Sequence, residues 1–95
     1  MTVRVLMRRK VSDEKIDALR GLLDTMRLQA MDQTGYISGE TLKRIDAPGV
    51  RLVISKWKSL REWQMWFDSP KRKAVQDQID ALLGEPTDYE VYDFD

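Results

Sequence analysis

Ser55-Lys56-Trp57-Lys58-Ser59-Leu60-Arg61-Glu62-Trp63-Gln64-Met65-Trp66-Phe67-Asp68-Ser69-Pro70, continuing through Lys71-Arg72-Lys73-Ala74-Val75-Gln76, is the stretch on which the fold turns. All three tryptophans of the chain fall within it, inside a span of ten positions. A strand is expected to end at Trp57, and Ser59 to cap the helix that follows. Glu62 stands three residues on, completing a Ser-x-x-Glu capping box. On a helical wheel Leu60, Trp63, Trp66 and Phe67 share an arc roughly 120° wide, while Arg61, Gln64 and Met65 lie outside it. Trp63 and Trp57 read as packing residues. Trp66, at the margin of the arc, reads equally as a packing residue or as an indole facing a cleft. Asp68-Ser69-Pro70 stops this helix and starts another, with Ser69 as N-cap and Pro70 at the first helical position.

Outside this stretch, composition excludes more than it suggests. The 95 residues suffice for one domain, residues 1–95, with a single modest core. There is no cysteine, which removes disulfides, thiol nucleophiles and thiolate metal sites. There is no histidine either, so the commonest general base, metal ligand and haem axial ligand are all missing. Metal and haem cofactor are therefore both expected to be none. A net charge of zero argues against a general polyanion binder. No signal peptide or membrane-length apolar run is read, because Arg4, Arg8 and Arg9 interrupt the first apolar residues. The expected compartment is the cytoplasm.

In chain order, residues 3–11 read as a strand with Val3, Val5 and Met7 on one face and Arg4, Leu6 and Arg8 on the other. The run Arg8-Arg9-Lys10 reads as a solvated strand end. Ser12 is the expected cap of a helix carrying Ile16, Leu19, Leu22, Leu23, Met26 and Ala30 as its apolar stripe. Residues 36–45 and 50–57 form a hairpin about Asp46-Ala47-Pro48-Gly49, with a bulge expected near Gly39 where the apolar parity shifts. The last helix carries Ala74, Val75, Gln78, Ile79, Leu82 and Leu83 as its stripe and ends at Gly84. Residues 87–94 read as the last strand, its acidic Asp88, Glu90, Asp93 and Asp95 facing water.

The order is β-α-β-β-α-β with the second helix broken, an α+β class of ferredoxin-like pattern. Its helices cover one sheet face only. Val3, Val5, Val50, Leu52 and Ile54 are read onto the covered face, and Leu6, Val53 and Trp57 onto the free one. Tyr92 and Phe94 add to that second apolar side. A sheet apolar on both faces with helices for one implies a partner, here a homodimer packed through Leu6, Val53, Trp57, Tyr92 and Phe94.

Gly35-Tyr36-Ile37-Ser38, Lys56-Trp57-Lys58-Ser59 and Trp66-Phe67-Asp68-Ser69-Pro70 together carry a resemblance to the antibiotic biosynthesis monooxygenase (ABM) domain, a member of the dimeric α+β barrel superfamily. The resemblance spans nearly the whole chain. It implies back-to-back homodimers, with a pocket in each subunit between sheet and helices. Activities in the family include oxygenation of phenols to quinones without metal or flavin, haem degradation and quinol oxidation. The haem-degrading branch has a histidine where this chain has Gln76 and an asparagine where it has Met7, so of three site residues only the tryptophan at Trp66 remains.

Cofactor-free oxygenation needs an electron-rich phenol or quinol that passes an electron to dioxygen once deprotonated. The protein must hold that anion in a dry pocket and stabilise its charge. The resemblance points to Val5, Met7, Leu22, Met26, Ile54, Trp66, Val75 and Gln76 as pocket lining, and to Tyr36 as a hydrogen-bond donor to a substrate oxygen. No catalytic residue is assigned. The alternative from another class is a non-catalytic small-molecule-binding or regulatory module on the same dimeric fold. RNA recognition, which shares this element order, calls for aromatics in the middle of the first and third strands. Those stretches, Val3 to Met7 and Arg51 to Ser55, contain none. Neither nucleic acid nor membrane is expected as a partner.

Overall fold

The structure, a computed structural model, describes residues 2–94, so Asp95 lies outside the described residues. Four strands form one antiparallel sheet: β1 (Val3–Lys10), β2 (Tyr36–Lys43), β3 (Val50–Trp57) and β4 (Asp88–Tyr92), in the spatial order β2-β3-β1-β4. Three helices cover one face: α1 (Ile16–Met31), α2 (Leu60–Phe67) and α3 (Pro70–Leu83). The architecture is the ferredoxin-like α+β pattern with a divided second helix.

The division of that helix follows from its caps. The Ser59 hydroxyl accepts the Glu62 N–H at 3.2 Å and donates to the Glu62 carboxylate at 3.0 Å. Ser69 accepts the Arg72 N–H at 3.4 Å, with Pro70 opening α3. The first box also anchors β2. Lys58 N–H donates to the Gly35 carbonyl at 2.8 Å, and Gly35 holds φ +92° with Glu62 packed against its α-carbon. A Cβ at Gly35 would stand 2.7 Å from the Cβ of Glu62, so both backbone and space require glycine there. Ser12, by contrast, makes no side-chain cap; a short 3-10 turn, Asp13–Lys15, leads into α1 instead. The bulge falls at Ile37, between the pairs Tyr36–Trp57 and Ser38–Lys56, two residues before Gly39.

Strand register corrects the expected facing of β3. Val3 pairs with Trp57, Val5 with Ser55 and Met7 with Val53, and directly paired residues share a face. Trp57 and Val53 therefore point at the helices and are not on the free face. Trp57 is 0% exposed, packed edge-on to Tyr36 at 5.4 Å and to Trp63 at 5.9 Å between ring centroids. Ile54 pairs with Leu6, and Leu52 with Arg8, which places Val50, Leu52 and Ile54 on the helix-free side. Ile54 is thus not a pocket residue.

Two apolar clusters fill the space under the helices. Val3, Val5, Ala30, Trp57, Trp63 and Trp66 form one, with Met7, Met26, Tyr36, Phe67 and Tyr89 against it. Val11, Leu19, Val75 and Ile79 form the other, joined by Leu22, Leu23 and Leu83 among others. The helix α3 stripe differs from the expected one: Arg72 and Gln76 are buried, while Ala74 and Gln78 are exposed. No helix among the described residues is long and apolar enough to cross a membrane.

Candidate functional site

Between the sheet and the helices lies a cavity of about 90 Å³. Its floor is the helix-facing side of the sheet: Met7 and Arg9 from β1, Tyr36, Gly39 and Thr41 from β2, Val53, Ser55 and Trp57 from β3. Leu23, Met26 and Ala30 from α1 close one side, with Trp63 and Trp66 from α2 and Arg72 and Gln76 from α3 on the other. Asp24, Arg27 and Glu40, all exposed, lie at the rim. A Cβ on Gly39 would lie 2.7 Å from the Tyr36 hydroxyl, so the missing side chain makes room for the phenol beside the cavity.

Of the pocket candidates, Met7, Met26, Tyr36, Trp66 and Gln76 line this cavity. Val5 and Val75 do not: both are core residues, fully or nearly fully enclosed in the two apolar clusters. Leu22 packs into the second cluster, and Ile54 is on the opposite face of the sheet. Trp63 and Trp66 are equally enclosed, each 4% exposed, and both line the cavity, so the expected contrast between them is not one of burial. They differ in neighbours. Trp63 stacks among Trp57, Phe67 and Tyr89, whereas Trp66 has no close aromatic partner among the described residues.

The residues missed from the sequence are polar. Arg9 is not a solvated strand end: it is 4% exposed, and its Nε donates to Thr87 Oγ1 at 2.9 Å and its Nη2 to Gln76 Oε1 at 3.2 Å. Arg72, also 4% exposed, donates from Nη1 to the Phe67 carbonyl at 3.1 Å and from Nη2 to the Tyr89 hydroxyl. Tyr89 in turn donates to Gln76 Oε1 at 3.0 Å. Gln76 Nε2 completes the network, donating to Asp80 Oδ1 at 2.8 Å and to Thr87 Oγ1 at 2.9 Å. Burial lowers the pKa of both guanidinium groups, yet arginine remains charged in proteins. Burial also raises the Tyr89 pKa, outweighing the pull of Arg72 and Arg9, so its hydroxyl stays protonated.

The signal for both arginines was present in the periodicity. Arg9 continues the alternation of Val3, Val5 and Met7, and Arg72 stands three residues before Val75 and seven before Ile79. Charge alone suggested solvent.

Gln76 occupies the position at which the resemblance implies a haem ligand elsewhere in the family, and its amide is committed to four protein partners. Haemin titrated into the purified protein is expected to give no saturable Soret shift at one equivalent per chain. A stoichiometric shift with sub-micromolar affinity would contradict this.

The sequence model for antibiotic biosynthesis monooxygenase matches residues 2–78. No curated protein matches the chain. Among solved structures, a conserved protein from Methanosarcina mazei superposes with a TM-score of 0.91 at 17% identity, covering 100% of this chain and 94% of that one. Rv0793 from Mycobacterium tuberculosis gives 0.85 at 23% identity, over 99% and 95% of the two chains. SnoaB from Streptomyces nogalater, described as a cofactor-independent oxygenase, gives 0.86 at 13% identity over 99% and 93%. At these identities the likeness is one of fold, and the family match extends it to descent: the chain belongs to the antibiotic biosynthesis monooxygenase family.

Proposed function

We propose that the chain is a cofactor-independent monooxygenase acting on a small phenol- or quinol-type aromatic held in the cavity between sheet and helices. The observation that carries this reading is the wall itself. Indole, thioether and aliphatic groups of Trp63, Trp66, Met7, Met26 and Ala30 enclose a space suited to a flat ring. Family membership and the fold shared with SnoaB support it. A volume of about 90 Å³ favours a single ring over fused rings, being well below the range typical of larger ligands.

The chemistry needs no external reductant. A phenol loses its proton to water, and the phenolate gives one electron to dioxygen, leaving a phenoxyl radical and superoxide. Their combination at a ring carbon forms a carbon–oxygen bond; loss of water, with the ring hydrogen, yields the quinone. One phenol and one dioxygen thus give one quinone and one water. The protein's part is to exclude water, orient the ring and stabilise the anion.

The test is oxygen uptake with a panel of single-ring phenols and hydroquinones, run beside Trp66→Phe. That change keeps an apolar ring and is expected to cost the fold about 1 kcal/mol. It removes indole area from the cavity wall, so turnover should fall several-fold. Trp63→Phe, within the aromatic stack, should lower the melting temperature more. Saturable binding with no oxygen uptake for any substrate would instead favour a non-catalytic binding module.

The assembly we propose is a homodimer formed through the helix-free sheet face. Leu6, Leu42, Leu52 and Ile54 lie together there, with Tyr92 and Phe94 on the β4 side, and Leu42 and Tyr92 are 44% and 50% exposed. Apolar residues grouped this way on a sheet face call for cover.

A further inference from the structure

Arg9 and Arg72 are the two buried cationic groups in the cavity lining, each 4% exposed, and no carboxylate forms an ion pair with either among the described residues. Their hydrogen-bond partners are neutral: a threonine hydroxyl, a glutamine carbonyl, a backbone carbonyl and the protonated Tyr89. The Arg72 guanidinium is further cushioned by Phe67 and Tyr89, whose ring centroids lie 4.4 and 5.3 Å away. Asp80 is one step removed, reached through Gln76, and Asp68 acts on Arg72 only at longer range. Asp24 and Arg27 stand exposed at the rim, and Glu40 pairs with Ile54 on β3, which turns its side chain to the helix-free face. Two like charges thus share one buried network with incomplete compensation. Taking such ions out of water is costly unless an opposite charge joins them.

We propose that Arg9 and Arg72 form an anion-binding end to the cavity, which takes its aromatic ligand through an ionised oxygen on the ring, phenolate or carboxylate. The proposal rests on the cavity assigned above but not on its oxygen chemistry. It also accounts for a reaction site without a histidine. Two fixed cations stabilise the phenolate directly, so a proton lost to water needs no protein base. Planar guanidinium groups suit oxyanions better than a lysine would, because their donors are fixed in direction.

The experiment is a binding titration without turnover, under nitrogen, using 4-nitrophenol, whose ionised form has its own visible absorption band. The protein should bind the phenolate at least tenfold more tightly than the phenol, shifting the midpoint of ionisation down by about one pH unit. Benzoate should displace it and benzamide should not; displacement by benzoate alone, without preference for the nitrophenolate, would assign the end to carboxylates. Arg9→Gln and Arg72→Gln should each abolish the preference, and Arg72→Lys should retain part of it. Equal binding of the ionised and neutral forms together with equal binding of benzoate and benzamide would overturn the proposal. So would a preference that survives in both folded glutamine variants, or no saturable binding of any probe. If a glutamine variant does not fold, thermal melts of the unaltered protein decide: stabilisation by benzoate but not benzamide supports the site, and equal effects refute it. Oxygen uptake is read separately, so anion binding can stand where the monooxygenase reading fails.

Discussion

Trp57→Ala is expected to remove a large share of the protein's stability. The indole is fully enclosed, makes edge contacts with Tyr36 and Trp63, and donates its Nε1–H to Ser55 Oγ at 3.1 Å. Truncating a buried tryptophan costs about 3–5 kcal/mol, and a domain of this kind has only about 5–15 kcal/mol in total. At ~4–8 °C per kcal/mol for a chain of this length, the melting temperature should drop by roughly 12–40 °C. Circular dichroism melts measure this directly. A loss of only a few degrees, accompanied by a change from dimer to monomer, would mean that Trp57 belongs to an interface and not to the core.

Ile54→Glu should behave in the opposite way. Ile54 pairs with Leu6 at the centre of the helix-free face and touches neither the cavity nor the buried clusters. A carboxylate there would be carried into the proposed dimer interface twice, once from each protomer, each time directly across from Glu40, its pair on β2. An interface of the obligate class buries roughly 2,000 Å² or more, and two like charges facing each other at its middle oppose it. Light scattering coupled to gel filtration should read twice the chain mass for the native protein and the single-chain mass for the variant. The far-ultraviolet circular dichroism of the variant should remain that of a folded α+β chain at low temperature. A native protein that is monomeric at micromolar concentration, or a variant that stays dimeric, would remove the interface from this face.

These two substitutions bracket the point at which the sequence stops being decisive. Local signals in it were sufficient for the elements. The Ser59 and Ser69 caps, Pro70, the turn at Asp46-Ala47-Pro48-Gly49 and the Gly84 helix end each act through a neighbour a few residues away. From these the element order, the broken second helix and the ferredoxin-like class could be read directly. The family resemblance rests on the same residues, because they set the geometry that the family shares.

Facing was not local in the same sense. The third strand carries Val50, Leu52 and Ile54 on one side and Val53 and Trp57 on the other, so both sides satisfy an apolar criterion. A period of two has no means of saying which of two apolar sides goes inward. Pairing with β1 decides it, since Val3 and Met7 already face the helices and bring Trp57 and Val53 with them. The same reasoning separates Val5 and Val75, enclosed in the core, from Met7 and Gln76, which reach the cavity: two residues along a strand or one along a helix change what a side chain meets. What the sequence by itself determined is the order of the elements, the Ser59 and Ser69 caps and the absence of histidine and cysteine chemistry. The tertiary structure alone decided that Arg9 and Arg72, far apart in the chain, are held inside by a shared glutamine and tyrosine. Charge predicts solvent for any arginine considered singly, and only the convergence of β1, α3 and β4 supplies the donors and acceptors that let two of them stay buried.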